Sequence, residues 1–143
     1  EIMSEYKHIL AASDLNHECL PVIKKAATFV KMFDAKLSVI NVMPSIPYYM
    51  ASGLSSVADI ESEIEDEARQ KVEDALSEAG INADIYISGG VAKTEIIKFA
   101  KKLEADLIVV GSHGSHGIKG LLGETATGVL HKAKCDVFVV RVK

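Results

Sequence analysis

Cysteine is scarce: Cys19 and Cys135 are the only two in 143 residues, and they stand far apart. A disulfide framework is therefore not expected, and in a reducing compartment both residues read as small buried hydrophobes. Long apolar runs are missing too. No stretch approaches the roughly 18–20 residues of a membrane span, and no charged-then-apolar leader opens the chain. A cytoplasmic protein is expected, with no membrane among its partners. Neither sign of charge dominates, since 16 Lys and Arg face 20 Asp and Glu for a net −4. That field does not draw a whole surface onto a nucleic-acid backbone. Nucleic acid drops out as a partner. Two phosphate motifs are absent as well. There is no Gly-Lys-Ser/Thr, which excludes a P-loop, and no Gly-x-Gly-x-x-Gly. The first strand-to-helix turn, Ala12-Ser13-Asp14-Leu15-Asn16, has no glycine, which argues against a Rossmann dehydrogenase.

What is present is an ordinary globular composition, 48% hydrophobic and 25% charged. Glu1 and Ile2 precede Met3 and read as an added remnant, leaving one domain over residues 3–143. Its acidity is local. Residues 59–78 hold nine acidic and two basic side chains, falling between apolar positions as on the solvated face of a helix.

Five apolar runs of strand length recur: 9–12, 37–42, 85–87, 107–110 and 137–140. They do not alternate cleanly, as suits strands covered on both faces in a parallel sheet. Helical spacing fills the gaps. Leu20, Ile23, Ala27 and Val30 mark a first helix; Ile60, Ile64, Ala68, Val72 and Leu76 a second. Ile96, Ile97, Ala100 and Leu103 mark a third, and Ala126, Val129 and Leu130 a fourth. The order βαβαβαβαβ with right-handed crossovers predicts an α/β, doubly wound, mostly parallel sheet with helices on both faces. One long connection, 43–57, carries Pro44, Pro47, Tyr48, Tyr49, Met50 and Gly53 and reads as a loop: a lid, a partner surface or a variable insertion.

Six of the ten glycines fall between 111 and 128, directly after the fourth strand. A glycine-rich loop leaving the carboxyl end of a parallel strand and entering a helix offers N–H donors and a positive dipole end to phosphate. Ser112, Ser115 and Thr125 add hydroxyls, and Lys119 a charge. In a sheet of order 3-2-1-4-5, Ser13 and Asp14 would face the same crevice; Asp14 reads equally as a helix cap. His113 and His116 stand three apart in a loop without a third His or a Cys pair, so no metal site is expected. Cys19 lies inside a helical pattern, and His8 and His131 read as packing or surface residues. No base accompanies Ser112 or Ser115, so no catalytic residue is assigned.

The sequence resembles the universal stress protein family, in its UspA-like branch. The likeness rests on Tyr6-Lys-His-Ile-Leu-Ala-Ala-Ser-Asp14, Ala35-Lys-Leu-Ser-Val-Ile-Asn-Val42, Ala105-Asp-Leu-Ile-Val-Val-Gly-Ser-His-Gly114, Leu121-Leu-Gly123 and Cys135-Asp-Val-Phe-Val-Val140. It covers nearly the whole chain. The resemblance implies a five-stranded parallel sheet of order 3-2-1-4-5, adenine nucleotide alpha hydrolase-like, dimeric through the last strand around Val137, Val139 and Arg141. In one branch of the family it also implies ATP or AMP binding. Carried over by position, Ala12, Ser13 and Asp14 would meet the ribose or the Mg-phosphate end, and the backbone of Val42 the adenine edge. Val110 and Gly111 would lie against base and ribose, and Ser112, His113, Gly114, Gly123, Glu124 and Thr125 around the phosphates. Gly111-Ser-His-Gly114 matches that branch, but eight residues separate Gly114 from Gly123, one short of its spacing, and Glu124 replaces a small hydroxyl residue. Two functions stay open: a nucleotide-binding dimeric regulator with at most weak ATP hydrolysis, or a nucleotide-free interaction protein acting through its dimer and the 43–57 loop.

Overall fold

A computed structural model describes residues 5–13, 19–43, 57–112 and 122–142. Five strands alternate with four helices: β1 (His8–Ser13), α1 (Cys19–Phe33), β2 (Lys36–Met43), α2 (Val57–Ala79), β3 (Asp84–Gly89), α3 (Ala92–Lys102), β4 (Leu107–Gly111), α4 (Glu124–Lys132) and β5 (Asp136–Val140). The sheet is wholly parallel, in the order β3-β2-β1-β4-β5. Each expected strand is found, lengthened by up to two residues at either end. The 44–56 connection lies outside the described residues.

The two-residue strand period sorts the core into two layers. Ile9 and Ala11, Leu37 and Val39, and Leu107 and Val109 face α1 and α2, while Leu10, Ile40, Ile108 and Val110 face α3 and α4. The central strands are thus apolar on both sides, which is why they read as continuous runs.

α1 buries Cys19, Val22, Ile23, Ala26 and Ala27, a stripe of i, i+3, i+4, i+7 and i+8. Pro21 sits in its first turn, where a missing N–H costs no helical bond. α2 buries Ala68, Val72, Ala75 and Leu76 and turns its charges to solvent. It ends at Gly80, whose φ of +69° lets the Gly80 N–H reach the Ser77 carbonyl and the Ile81 N–H reach that of Leu76. α4 departs from the expected stripe. Ala126 and Val129 are buried, but Leu130 is 44% exposed, because a nine-residue helix on the sheet's margin has a narrow contact face.

Polar side chains lock the amino-terminal edge of the sheet. The Asp106 carboxylate accepts the Lys7 and His8 amides at 2.8 and 3.1 Å. His8 Nδ1 faces the Leu103 carbonyl at 3.0 Å and so must be its donor; Nε2 then accepts from the Ser38 hydroxyl at 2.7 Å in the neutral ring. His8 is a packing residue, tying β1, β2 and the end of α3 together, and His131 lies exposed on α4.

Candidate functional site: the carboxyl edge between β1 and β4

β1 pairs with β2 on one side and with β4 on the other, so the chain reverses its winding direction at β1 and leaves a crevice beyond the carboxyl ends of β1 and β4. Ala12, Ser13, Val42, Val110, Gly111, Ser112, Gly123, Glu124 and Thr125 all lie at strand ends or at the start of α4 on this edge. Asp14, His113 and Gly114 lie outside the described residues.

The two ends of the glycine-rich segment are clasped. The Gly123 N–H donates to the Ser112 carbonyl at 2.7 Å, holding the start of α4 against the end of β4. Ser112 is otherwise turned inward. Its N–H donates to the Val140 carbonyl at 2.8 Å, and its hydroxyl accepts the Val142 N–H at 2.9 Å and lies 3.5 Å from the Val142 carbonyl. That hydroxyl ties the segment after β5 to the end of β4. Gly111 is equally a packing position, since a Cβ there would meet Val142 and Val22 at 3.4 Å.

Gly123 caps α4 without a side-chain hydrogen bond. The cap residue itself therefore places no side chain over the positive end of the helix dipole, which lies on this same edge of the sheet. Glu124 follows in the first turn, where a carboxylate suits the dipole. It is exposed and reaches sideways, 3.2 Å from the ammonium of Lys93 on α3. Gly128 makes that reach possible: the Lys93 stem lies across it so closely that a Cβ at 128 would stand 2.5 Å from Lys93 Cδ and 2.9 Å from its Cβ.

A polar trio sits on the α1 side of the same edge. Asn41 of β2, in register with Ser13 of β1, donates from Nδ2 to the Ser13 hydroxyl at 3.0 Å. Asn41 is 2% exposed, and its Oδ1 has no hydrogen-bond partner among the described residues. A buried carbonyl left without a donor costs about 1–3 kcal/mol, so this oxygen is an acceptor that a neighbouring donor would satisfy. The Cys19 thiol completes the trio; burial pushes its pKa up, while a hydrogen bond with Ser13 and the charge of Lys71 pull it partly back. Cys135 is also a free thiol raised by burial. Both thiols therefore stay protonated at neutral pH and are poor nucleophiles.

Asn41 and Lys93 went unassigned in the sequence reading. Asn41 had a legible signal, a lone amide inside the apolar strand Val39-Ile-Asn-Val42. Lys93 had none, because its role depends on the packing of α3 against α4.

A wholly parallel sheet of order β3-β2-β1-β4-β5, with its switch point at β1 and helices on both faces, defines a doubly wound α/β class of protein. The chain belongs to the universal stress protein family, whose model matches residues 5–141. It is 40% identical over 144 residues to universal stress protein A homolog 2 of Coxiella burnetii, covering 99% of both chains. It is also 33% identical over 140 residues to universal stress protein MJ0531 of Methanocaldococcus jannaschii, covering 95% of this chain and 82% of that one. Among solved structures, hypothetical protein MJ0577 superposes with a TM-score of 0.80 at 25% identity, covering 96% of this chain and 97% of that one. A universal stress protein solved in complex with cAMP superposes with a TM-score of 0.71 at 22% identity, covering 95% and 97%.

Proposed function

We propose that this universal stress protein binds an adenine nucleotide, ATP or AMP, in the β1–β4 crevice and acts as a dimeric, nucleotide-responsive regulator in the cytoplasm. The observation that carries the reading is the start of α4: a cap that is glycine and has no side chain of its own, and beside it a carboxylate paired sideways with Lys93. The likeness to a structure containing cAMP supports the ligand class. The Gly123–Thr125 turn would receive phosphate, Val110 and Gly111 would line the base and ribose, and the backbone of Val42 would meet the adenine edge. Asn41 Oδ1 offers an acceptor beside Ser13. Asp14 is the carboxylate available to a nucleotide-bound Mg, which would neutralise phosphate charge; no catalytic base is assigned, so hydrolysis is at most slow.

Dimerisation through β5 is part of the proposal. β5 is an edge strand with one side unpaired, and Phe138 on it is 37% exposed. A nucleotide-free interaction protein is the second reading, favoured by the inward use of the Ser112 hydroxyl and by Glu124 at the helix start.

Calorimetric titration with ATP and AMP, with and without magnesium, separates the two, preceded by a spectrum of the denatured supernatant for retained adenine. Micromolar binding that Gly114→Val abolishes is the expected result. Absence of binding and of retained nucleotide would favour the second reading. A sedimentation mass of one chain across the micromolar range would refute the dimer.

A further inference from the structure

A second concavity lies at the opposite edge of the sheet, where α3 and α4 end. It is a cleft of about 300 Å³ with a floor of Ile97, Ala100, Ala105, Ile108, Ala133 and Cys135. Four of those six are alanine or cysteine, too short to fill the space between the two helix ends. Around its rim stand Lys101, Lys132 and Lys134 against a single carboxylate, Glu104. Three ammoniums and one carboxylate leave the rim at +2, on a chain whose net charge is −4.

The helix dipoles account for part of this. Lys101 and Lys132 occupy the last turns of α3 and α4, where a cation is favoured. Lys134 lies beyond α4 and has no such reason. None of the three makes an ion pair with a described residue. Behind Cys135 stand two further carboxylates, which keep their charge but are turned to other donors: Asp106 to the Lys7 and His8 amides, Asp136 to the Tyr6 hydroxyl at 2.7 Å. Three cations with no ion pair among the described residues therefore surround an apolar floor.

We propose that this cleft is a binding site for a small amphipathic carboxylate, its hydrocarbon body on the alanine and isoleucine floor and its carboxylate among Lys101, Lys132 and Lys134. Size narrows the class. The volume equals that of roughly ten water molecules, at the low end of ligand pockets. It suits a medium-chain fatty acid and is too small for a two-chain lipid. The site is independent of the nucleotide reading, since the crevice lies at the other end of the strands.

Cys135 supplies the test because it is half-buried in the cleft floor, while the more deeply buried Cys19, 8% exposed, is expected to stay unmodified as long as the fold is intact. The full chain is alkylated with N-ethylmaleimide in the presence of decanoate, and modification at each cysteine is followed by mass spectrometry. Decanoate is expected to slow Cys135 modification about tenfold at ten times its dissociation constant. Decanol, with the same body and no charge, is expected to slow it much less. The double variant Lys132→Glu/Lys134→Glu, at exposed positions outside the core, should lose the decanoate effect and keep that of decanol. Ala133→Leu, which fills the cleft, should remove the response to both; if it unfolds, the lysine variants decide. Unchanged Cys135 reactivity in millimolar decanoate, or equal protection by decanol and decanoate, would overturn the proposal.

Discussion

Replacing a glycine in the middle of a helix by alanine ordinarily stabilises a protein by about 1 kcal/mol, because alanine restricts the unfolded chain and favours the helix. Gly128, fifth of nine residues in α4, should do the opposite. A Cβ there would stand 2.5 Å from Lys93 Cδ, 2.9 Å from Lys93 Cβ and 3.2 Å from Lys93 Cγ. The Cδ contact alone could be relieved by rotating the lysine. The Cβ contact cannot, since that atom moves only with the α3 backbone, so the helices must separate. Overpacking of this kind costs about 1–3 kcal/mol, and the displaced Lys93–Glu124 pair, being exposed, adds at most about 1 kcal/mol. Taking the middle of that range against the propensity gain, Gly128→Ala should destabilise by about 1 kcal/mol, a fall of about 2–4 °C in Tm. The same substitution made in a Lys93→Gly background removes the obstruction and should stabilise by about 1 kcal/mol. A coupling of about 2 kcal/mol between the two sites is therefore expected from urea unfolding of the four proteins. A Gly128→Ala protein more stable than its parent, or additive effects in the cycle, would refute the packing argument.

The remaining expectations use the same structure. Lys93→Met leaves Glu124 uncompensated at the start of α4 and should weaken ATP roughly tenfold, about 1.4 kcal/mol, and AMP less; Glu124→Gln should reverse the loss, both read by calorimetry. Glu104 sits at φ 54° after α3, a left-handed conformation that costs an L residue roughly 1–2 kcal/mol. Glu104→Gly should thus raise stability by about 0.5–1 kcal/mol, and Asp34→Gly at φ 52° by less, since aspartate tolerates that region better; equal or negative shifts in the urea midpoint would contradict this. Asp106→Ala removes the acceptor of the Lys7 and His8 amides at the start of β1 and should cost about 1.5–3 kcal/mol in the same assay. The hydrogen bond to Asp136 raises the Tyr6 pKa from 10.0 to about 12, with burial and that carboxylate's charge adding to it. A raised pKa means the contribution is complete below pH 10 and is lost as pH climbs from 10 to about 12. Tyr6→Phe should flatten that part of the stability profile relative to the parent, and parallel profiles would show the bond contributes nothing.

The sheet was legible because its strands are buried on both faces. Ile9 to Ala12 and Leu107 to Val110 have apolar neighbours whichever way they point, and that produces unbroken runs which only a parallel, doubly covered sheet explains. Helix faces were legible where the helix is long. The α2 stripe held from Ala68 to Leu76, whereas Leu130 was misplaced because α4 is short and marginal to the sheet. Strand ends were read one or two residues short, since His8, Ser13, Lys36 and Asp84 are polar. Their pairing follows from register, which composition does not report.

The site was legible only as a convergence of segments. That Gly111, Ser112, Gly123 and Ala12-Ser13 would stand on one edge of the sheet followed from strand order. How each side chain is used did not, because the use of a polar group depends on what it touches. Ser112 reads as a phosphate hydroxyl in the sequence and in the fold holds Val142. Glu124 reads as a carboxylate facing phosphate and instead lies against Lys93. Gly128, counted with the phosphate loop, serves helix packing, and through that packing it decides where Glu124 points. These three form one arrangement: a larger residue at 128 would lift Lys93, and without Lys93 the charge of Glu124 would return to the end of α4. The departure of this chain from the family pattern at 124 therefore cannot be weighed at that position alone. In the proposed site its effect on a phosphate would depend on a residue thirty-one positions earlier in the chain, the lysine that crosses Gly128.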